Sequence, residues 1–310
     1  MFSLGLVSAI LPDLTQAQLF PYLAERGFSA VELMCWPRGK AERRYAGVTH
    51  LDPDTLSEDD IETLHGLQAS SGVQVSGLGY YPNPLDPDPE KAAFYRNHIA
   101  KIIRAAARLG VPVVNTFIGR HPAKTVGENI AQFRQYWPPL IDLAGELGVK
   151  IAIENCPMLF TDDEWPGGKN IATTPAIWDE LFSIVPDAHF GLNYDPSHLV
   201  WQMMDPLAPL KDYASRLHHI HLKDAKLFRD KLDRVGIMAT PLQYHAPRIP
   251  GRGDLDWPAF FRALEASGYR GPVCIEVEDK DFEGSPEGIE AAILHARDHI
   301  RQSMPSNPGA

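Results

Sequence analysis

The sequence predicts a single (β/α)8 barrel, the TIM-barrel architecture. Three observations lead there. Short apolar, β-rich runs alternate with amphipathic helical segments along the whole chain. Eight such strand–helix repeats fit into 310 residues, an ordinary size for a barrel of this kind. The first strand, in LGLVSAILPD, is not followed by the glycine-rich phosphate loop that the competing arrangement, a doubly wound sheet, usually carries there.

In chain order the predicted strands are Ser3 to Ser8, Ala30 to Met34, Gln74 to Leu78, Val113 to Ile118, Lys150 to Glu154, Phe190 to Tyr194, Leu217 to Leu222 and Val273 to Val277. Each is short and apolar, as strands covered on both faces should be. Between them lie helical segments. One starts at SEDDIETLHGL, with Ser57 as N-cap and acidic residues in its first turn. PEKAAFYRNHIAKIIRAAARLG is closed by Gly110. Further helices are expected over ENIAQFRQYWPPLIDLAGELG, WPAFFRALEASG and PEGIEAAILHARDHIRQ. No composition shift marks a linker, so residues 1–302 read as one domain and 303–310, SMPSNPGA, as a flexible tail. Two connections are long, Asn155 to Thr173 and Lys223 to Asp254. At the C-terminal end of a barrel such loops shape a substrate site, or they supply a subunit contact in a homo-oligomer.

A chain of this length buries roughly 75% of its unfolded surface. The net charge of −11 disfavours nucleic acid as a partner, because phosphate binding needs basic surface. Cys35, Cys156 and Cys274 are few and widely spaced, which reads as a reduced, cytoplasmic protein without a disulfide framework. No run approaches the ~20 apolar residues of a membrane span. LGLVSAIL lacks a preceding Lys or Arg and reads as a first strand rather than a signal core.

A barrel gathers the C-terminal ends of its strands around one mouth. KIAIEN ends the fifth strand at Glu154, GLNYDPSH ends the sixth at Asp195, HHIHLKD carries His221, and VCIEVED carries Glu276. Three carboxylates brought together repel and raise one another's pKa. Ion pairs could relieve that, and so could a divalent cation. One His with several carboxylates suits an octahedral Mn²⁺, Mg²⁺ or Co²⁺ better than tetrahedral zinc. His219 would share a face with His221, so spacing alone does not choose between them.

With these residues in place, the chain resembles the xylose isomerase-like TIM barrels, the sugar phosphate isomerase/epimerase family. Its ketose 3-epimerases, hydroxypyruvate isomerases and inosose dehydratases are the nearer branches, and apurinic endonucleases of the IV type a distant one. IAIEN, GLNYDPSH, HIHLKD, IPGRGDLDW and VCIEVED carry the likeness, which spans about residues 3–300. It implies that Glu154, Asp195, His221 and Glu276 hold one divalent ion, Mn²⁺ first among the candidates, and that His198 contacts substrate. It also implies isomerisation or epimerisation of a ketose or keto-sugar through an enediolate, with Glu154 and Glu276 as the acid–base pair. Where ketose 3-epimerases carry an arginine after the metal-binding histidine, HLKDAKLF has Leu227. Lys223, Lys226 and Arg252 are the nearby replacements. The endonucleases use further histidines; here the third strand ends GLGYYPNP without one, His121 and His245 could contribute, and the expected Asp-x-His pair is missing. Trp36 and Arg120 are further substrate-binding candidates, and Tyr80, Tyr81, Trp165 and Trp201 could stack on a sugar. Glu32 could bond a hydroxyl or form a salt bridge. Two alternatives remain open: a metal-dependent lyase acting on a 3-oxo-glycoside or inosose, and a sugar-binding or scaffold barrel without catalysis.

Overall fold

Parallel strands β1 (Ser3–Val7), β2 (Ala30–Met34), β3 (Gln74–Gly79), β4 (Val113–Thr116), β5 (Lys150–Glu154), β6 (Phe190–Tyr194), β7 (Leu217–Leu222) and β10 (Pro272–Ile275) close a barrel in chain order, with β10 pairing β1 and β7. This is a single (β/α)8 barrel, as the sequence predicts. The computed structural model describes residues 2–39, 46–159, 161, 164 and 167–305. The last of these follow α11 (Pro286–Ser303), so most of the expected tail, 306–310, lies outside the described residues.

The helices form where the local code specifies them. α2 (Glu58–Ser71) starts on a capping box, with Ser57 accepting from Asp60 N and the Asp60 carboxylate accepting from Ser57 N at 2.9 Å. α3 (Pro89–Leu109) is capped by Asp88 and stops at Gly110, which sits at φ 68°. The stretch read as one helix, ENIAQFRQYWPPLIDLAGELG, is two: α4 (Val126–Tyr136) and α5 (Pro138–Glu146). Pro138 has no N–H to continue the ladder, so it starts a new helix at its first position. Between sheet and helices, Trp137, Trp178, Trp257, Phe133, Phe190, Phe260 and Phe261 are fully buried. Each such side chain stabilises the fold by roughly 1.5–3 kcal/mol.

A second structural difference from the sequence reading lies in the long seventh connection. It holds an antiparallel hairpin, β8 (Asp224–Leu227) with β9 (His245–Arg248), enclosing α9 (Arg229–Val235). DAKL alternates over only four residues and has no β-branched or aromatic side chain, and HAPR contains proline, so neither has a strong strand signature. The hairpin is instead tied down by Asp254, which accepts from Leu227 N at 2.8 Å and pairs with Lys226. The barrel ladder itself breaks register twice. Val31↔Val75 is followed by Glu32↔Gly77, leaving Ser76 as an extra residue. Leu192↔Leu217 is followed by Asn193↔His219, leaving His218 extra. Among the described residues no helix is long and apolar enough to cross a membrane.

Candidate metal centre and active site

Four strand tips meet at the mouth. Glu154 closes β5, Asp195 follows β6, His221 lies near the end of β7, and Glu276 follows β10, its N–H continuing the ladder to Leu222 O at 3.2 Å. The asparagine of the EN pair has a structural task. Asn155 accepts from Asp195 N and donates to Asp195 O, both at 2.8 Å. Asn170, from the fifth connection, donates to the carbonyls of Glu154 and Cys156.

His221 is oriented from below. Its Nε2 lies 2.7 Å from Oε2 of Glu32, a carboxylate with no solvent exposure, and Tyr81 donates its hydroxyl to the other oxygen of Glu32 at 2.5 Å. With Nε2–H committed to a carboxylate, Nδ1 is the nitrogen turned to the mouth. Burial of the ring is outweighed by Glu32, Glu154 and Glu276, which hold the His221 pKa well above the usual histidine range, so a divalent ion there would take the place of the Nδ1 proton. Nδ1 has no hydrogen-bond partner and faces Glu276 at 3.5 Å and Glu154 at 3.8 Å. One ligand atom each from Glu154, His221 and Glu276 lies within 4.8 Å of the others. His219 is different: its Nδ1 meets Asn193 at 3.0 Å and its Nε2 meets Ser76 at 3.1 Å, so both nitrogens are engaged inside the barrel. Of the two histidines, His221 has the nitrogen that faces the carboxylates.

Lys223, only 3% exposed, enters the same cluster. Its Nζ lies 2.8 Å from Glu276, 3.1 Å from Asp195, 3.4 Å from Glu278 and 3.9 Å from Glu154. Burial alone would drive the ammonium to lose its proton, but these carboxylates more than offset it and hold its pKa well above the usual lysine range. Burial would likewise raise the Asp195 carboxyl, yet Lys223 and His198 keep it well below the usual range. Glu154 is lowered to about 2: hydrogen bonding to His198 and the positive charges of His221 and Lys223 outweigh its desolvation. Four carboxylates, with Glu32 behind His221, thus face Lys223 and the rings of His198 and His221. The surplus negative charge, the unpartnered Nδ1 and an Asp195 Oδ2 without a well-formed hydrogen bond suit a divalent cation held by Glu154, Asp195, His221 and Glu276.

His198 sits in the short helix α7 (Ser197–Val200), which begins where Ser197 N donates to Asp195 Oδ1 at 2.8 Å. Trp201 donates its indole N–H to His198 Nδ1 at 3.3 Å. That fixes the proton on Nε2, which points to Asp195 at 3.1 Å and Glu154 at 3.5 Å. His198 therefore presents a donor to the mouth. Trp201 also stacks on His245 of the hairpin, with ring centroids 4.8 Å apart.

The remaining candidates lie apart from this cluster. Arg252 is paired with Asp279 at 3.1 Å and Asp281 at 2.9 Å. Arg120 donates to Gly167 O at 2.9 Å and so ties the fourth connection to the fifth. Trp36 packs edge-on against Tyr80 and joins Val48, Tyr81, Phe117 and Met158 in an apolar wall at the mouth. Trp165 lies outside the described residues. The structure adds Asn155, Asn193, Glu278 and Cys156, whose Sγ lies within 4.8 Å of ligand atoms of Glu154 and His198, and gives Tyr81 a hydrogen bond to Glu32. It also gives Glu32 a place beneath His221 rather than at a substrate hydroxyl.

Barrel and site together define a class, and comparison with known proteins agrees with it. Residues 20–302 match the family described as xylose isomerase-like TIM barrel, and the chain belongs to that family. An inosose dehydratase of Clostridium perfringens is 32% identical over 138 residues, 44% of this chain and 45% of that protein. The chain thus aligns with less than half of that relative's length. Among solved structures, the IolI protein with a bound zinc atom matches with a TM-score of 0.71 at 17% identity, over 98% of this chain and all of that one. D-psicose 3-epimerase of Clostridium cellulolyticum H10, solved with D-tagatose, matches with a TM-score of 0.67 at 14% identity, over 98% of this chain and all of that one.

Proposed function

We propose that the chain is a divalent-metal-dependent isomerase or epimerase of a ketose or keto-sugar. The observation that carries this reading is His221. Its Nε2 is spent on a buried carboxylate, while its Nδ1 stands unpartnered between Glu154 and Glu276. Glu154, Asp195, His221 and Glu276 would hold the ion, and their oxygen-rich set favours Mn²⁺, Mg²⁺ or Co²⁺. A divalent ion there supplies Lewis acidity toward a substrate carbonyl oxygen.

The protein's own groups carry the proton. Glu154 and Glu276 approach the cluster from β5 and from the end of β10. One removes the proton next to the carbonyl, and the other returns it, either to the opposite face of the same carbon or to the adjacent carbon. Lys223 holds the Glu276 carboxylate through its 2.8 Å contact. His198 offers Nε2–H to a substrate hydroxyl, and the wall of Trp36, Val48, Tyr81 and Phe117 excludes water from the intermediate. A screen of ketoses, inososes and 3-oxo-glycosides in deuterated solvent with added Mn²⁺ tests this. Deuterium entering the recovered sugar, dependent on the ion, is the expected result; net turnover unaffected by chelators would overturn it.

Elimination is the second reading. It is supported by the partial likeness to inosose dehydratase and by Lys223 and His198, two proton-bearing groups beside the carboxylates that could protonate a departing hydroxyl. In the same screen it would appear as loss of water or of an aglycone.

The buried Glu32 gives a separate check. Glu32→Gln removes the charge behind His221, and the affinity for Mn²⁺ should fall about 10- to 100-fold. Calorimetric titration reads this directly. An unchanged affinity would mean that His221 does not hold the ion.

A further inference from the structure

We propose that Trp201 is a positioning residue for His198, and that the hairpin of β8 and β9 sets the His198 ring through it. The proposal rests on the substrate contact given to His198 above. It makes the seventh connection the support of a group that belongs to the sixth.

His198 needs support from outside its own helix. α7 spans four residues, too few for a helix to hold its own shape. The chain leaves it through Met203 at φ 57°, a left-handed conformation uncommon without glycine. Gln202 donates its side-chain amide to His198 O at 2.6 Å, which ties down the main chain and not the imidazole. Among the described residues, the indole N–H of Trp201 makes the one well-formed hydrogen bond to the ring, 3.3 Å from Nδ1. On the other side, Nε2 touches Asp195 and Glu154 without a well-formed hydrogen bond. Both carboxylates are also proposed ligands, so a bound ion claims them.

Trp201 is in turn seated by the hairpin. Its indole is 7% exposed. It stands edge-on to His198, with the ring planes at 87°, and lies flat on His245, with the planes at 21° and the centroids 4.8 Å apart. Turning the N–H away from His198 would break that stack. His245 is itself fixed: its Nδ1 lies 2.6 Å from Pro241 O, and its backbone pairs with Leu227, whose N–H is held by Asp254. A continuous series of contacts thus runs from Asp254 through the hairpin and two stacked rings to the His198 imidazole.

Two measurements test this on the full chain. The first follows the His198 ring by NMR of histidine-labelled protein, with His198→Asn identifying its signals and Mg²⁺ as the added ion. Trp201→Phe keeps a ring on His245 but removes the N–H. It should shift and broaden the His198 signals, as should His245→Ala, and His245→Phe should restore them. The second uses the sugar found in the solvent-deuterium screen. Trp201→Phe should lower kcat/KM about 2- to 10-fold, the worth of one neutral hydrogen bond, with the same division between kcat and KM as His198→Asn. The double variant should be no worse than His198→Asn alone. Affinity for Mn²⁺ should stay at the wild-type value in Trp201→Phe. Unchanged His198 signals in both Trp201→Phe and His245→Ala, additive losses in the double variant, or loss of Mn²⁺ affinity in Trp201→Phe would each overturn the proposal. Wild-type kinetics in His198→Asn would instead remove His198 from the proposed reaction, and the ring signals alone would then decide whether Trp201 positions it. The two His245 variants keep the test decisive if Trp201→Phe misfolds.

Discussion

Glu154→Gln and Glu276→Gln should each lower turnover about 10²- to 10⁴-fold, the range contributed by a positioned acid–base group. The sugar to use is the one the solvent-deuterium screen identifies. Both residues are also proposed ligands, so metal content must be measured on the same samples. A variant that keeps the ion and loses exchange isolates the proton-transfer role. One that loses both assigns the residue to holding the ion. Full turnover by Glu154→Gln would remove it from the chemistry. The two need not behave alike. Glu154 is 3% exposed and closes a barrel strand, whereas the Glu276 side chain is 24% exposed and bonded to Lys223. Glu276 is thus the freer of the two to reach toward a bound sugar.

Asp224→Ala should destabilise the fold by about 3–5 kcal/mol, measured as the unfolding free energy in urea. The buried Asp224 carboxylate collects Ala225 N at 2.9 Å, Gly251 N at 3.2 Å, Leu255 N at 3.2 Å and the Trp257 indole N–H at 3.0 Å. Burial nevertheless pushes its pKa up. Removing it strands these donors around a void. The same wrapping explains IPGRGDLDW. A Cβ on Gly253 would stand 2.0 Å from Asp224 Oδ1 and 2.6 Å from Ala225 O, so the loop can close over the carboxylate only with glycine there. Asp224 is the neighbour of Lys223, and its loss should also displace the ammonium from the mouth. Asp224→Asn, which keeps an acceptor oxygen, should fall between wild type and alanine. A wild-type unfolding midpoint for Asp224→Ala would show that the loop stands without it.

The barrel was legible because its signal repeats. Apolar runs such as AVELM and FGLNY, separated by capped helices, leave few other ways to bury both faces of a sheet. The grouping of Glu154, Asp195 and Glu276 with a histidine of β7 was legible for the same reason: strand order alone brings their tips together, while His221 rather than His219 followed from the resemblance to the family. What supports them was harder to read. Glu32 and Asn193 are polar residues inside apolar strands, a visible anomaly, but only the pairing across the barrel shows that one lies beneath His221 and the other bridges His221 and His219. The engagements of Arg120 and Arg252 depend on where Gly167 and Asp279 fall in space, which composition does not encode. The hairpin of β8 and β9 was hidden because a distant carboxylate, Asp254, holds it rather than any pattern of its own.

The amide of Asn155 acts as one more rung of the sheet, placed past the last backbone pairing between β5 and β6. Glu154 and the Asp195 main chain consequently move as a single stiff piece. The spacing between these two acids is inherited from the sheet and does not depend on the loops above. Loops at this rim can therefore lengthen, shorten or change partners during evolution to admit different sugars, while the gap that grips the reactive end of the substrate keeps its gauge.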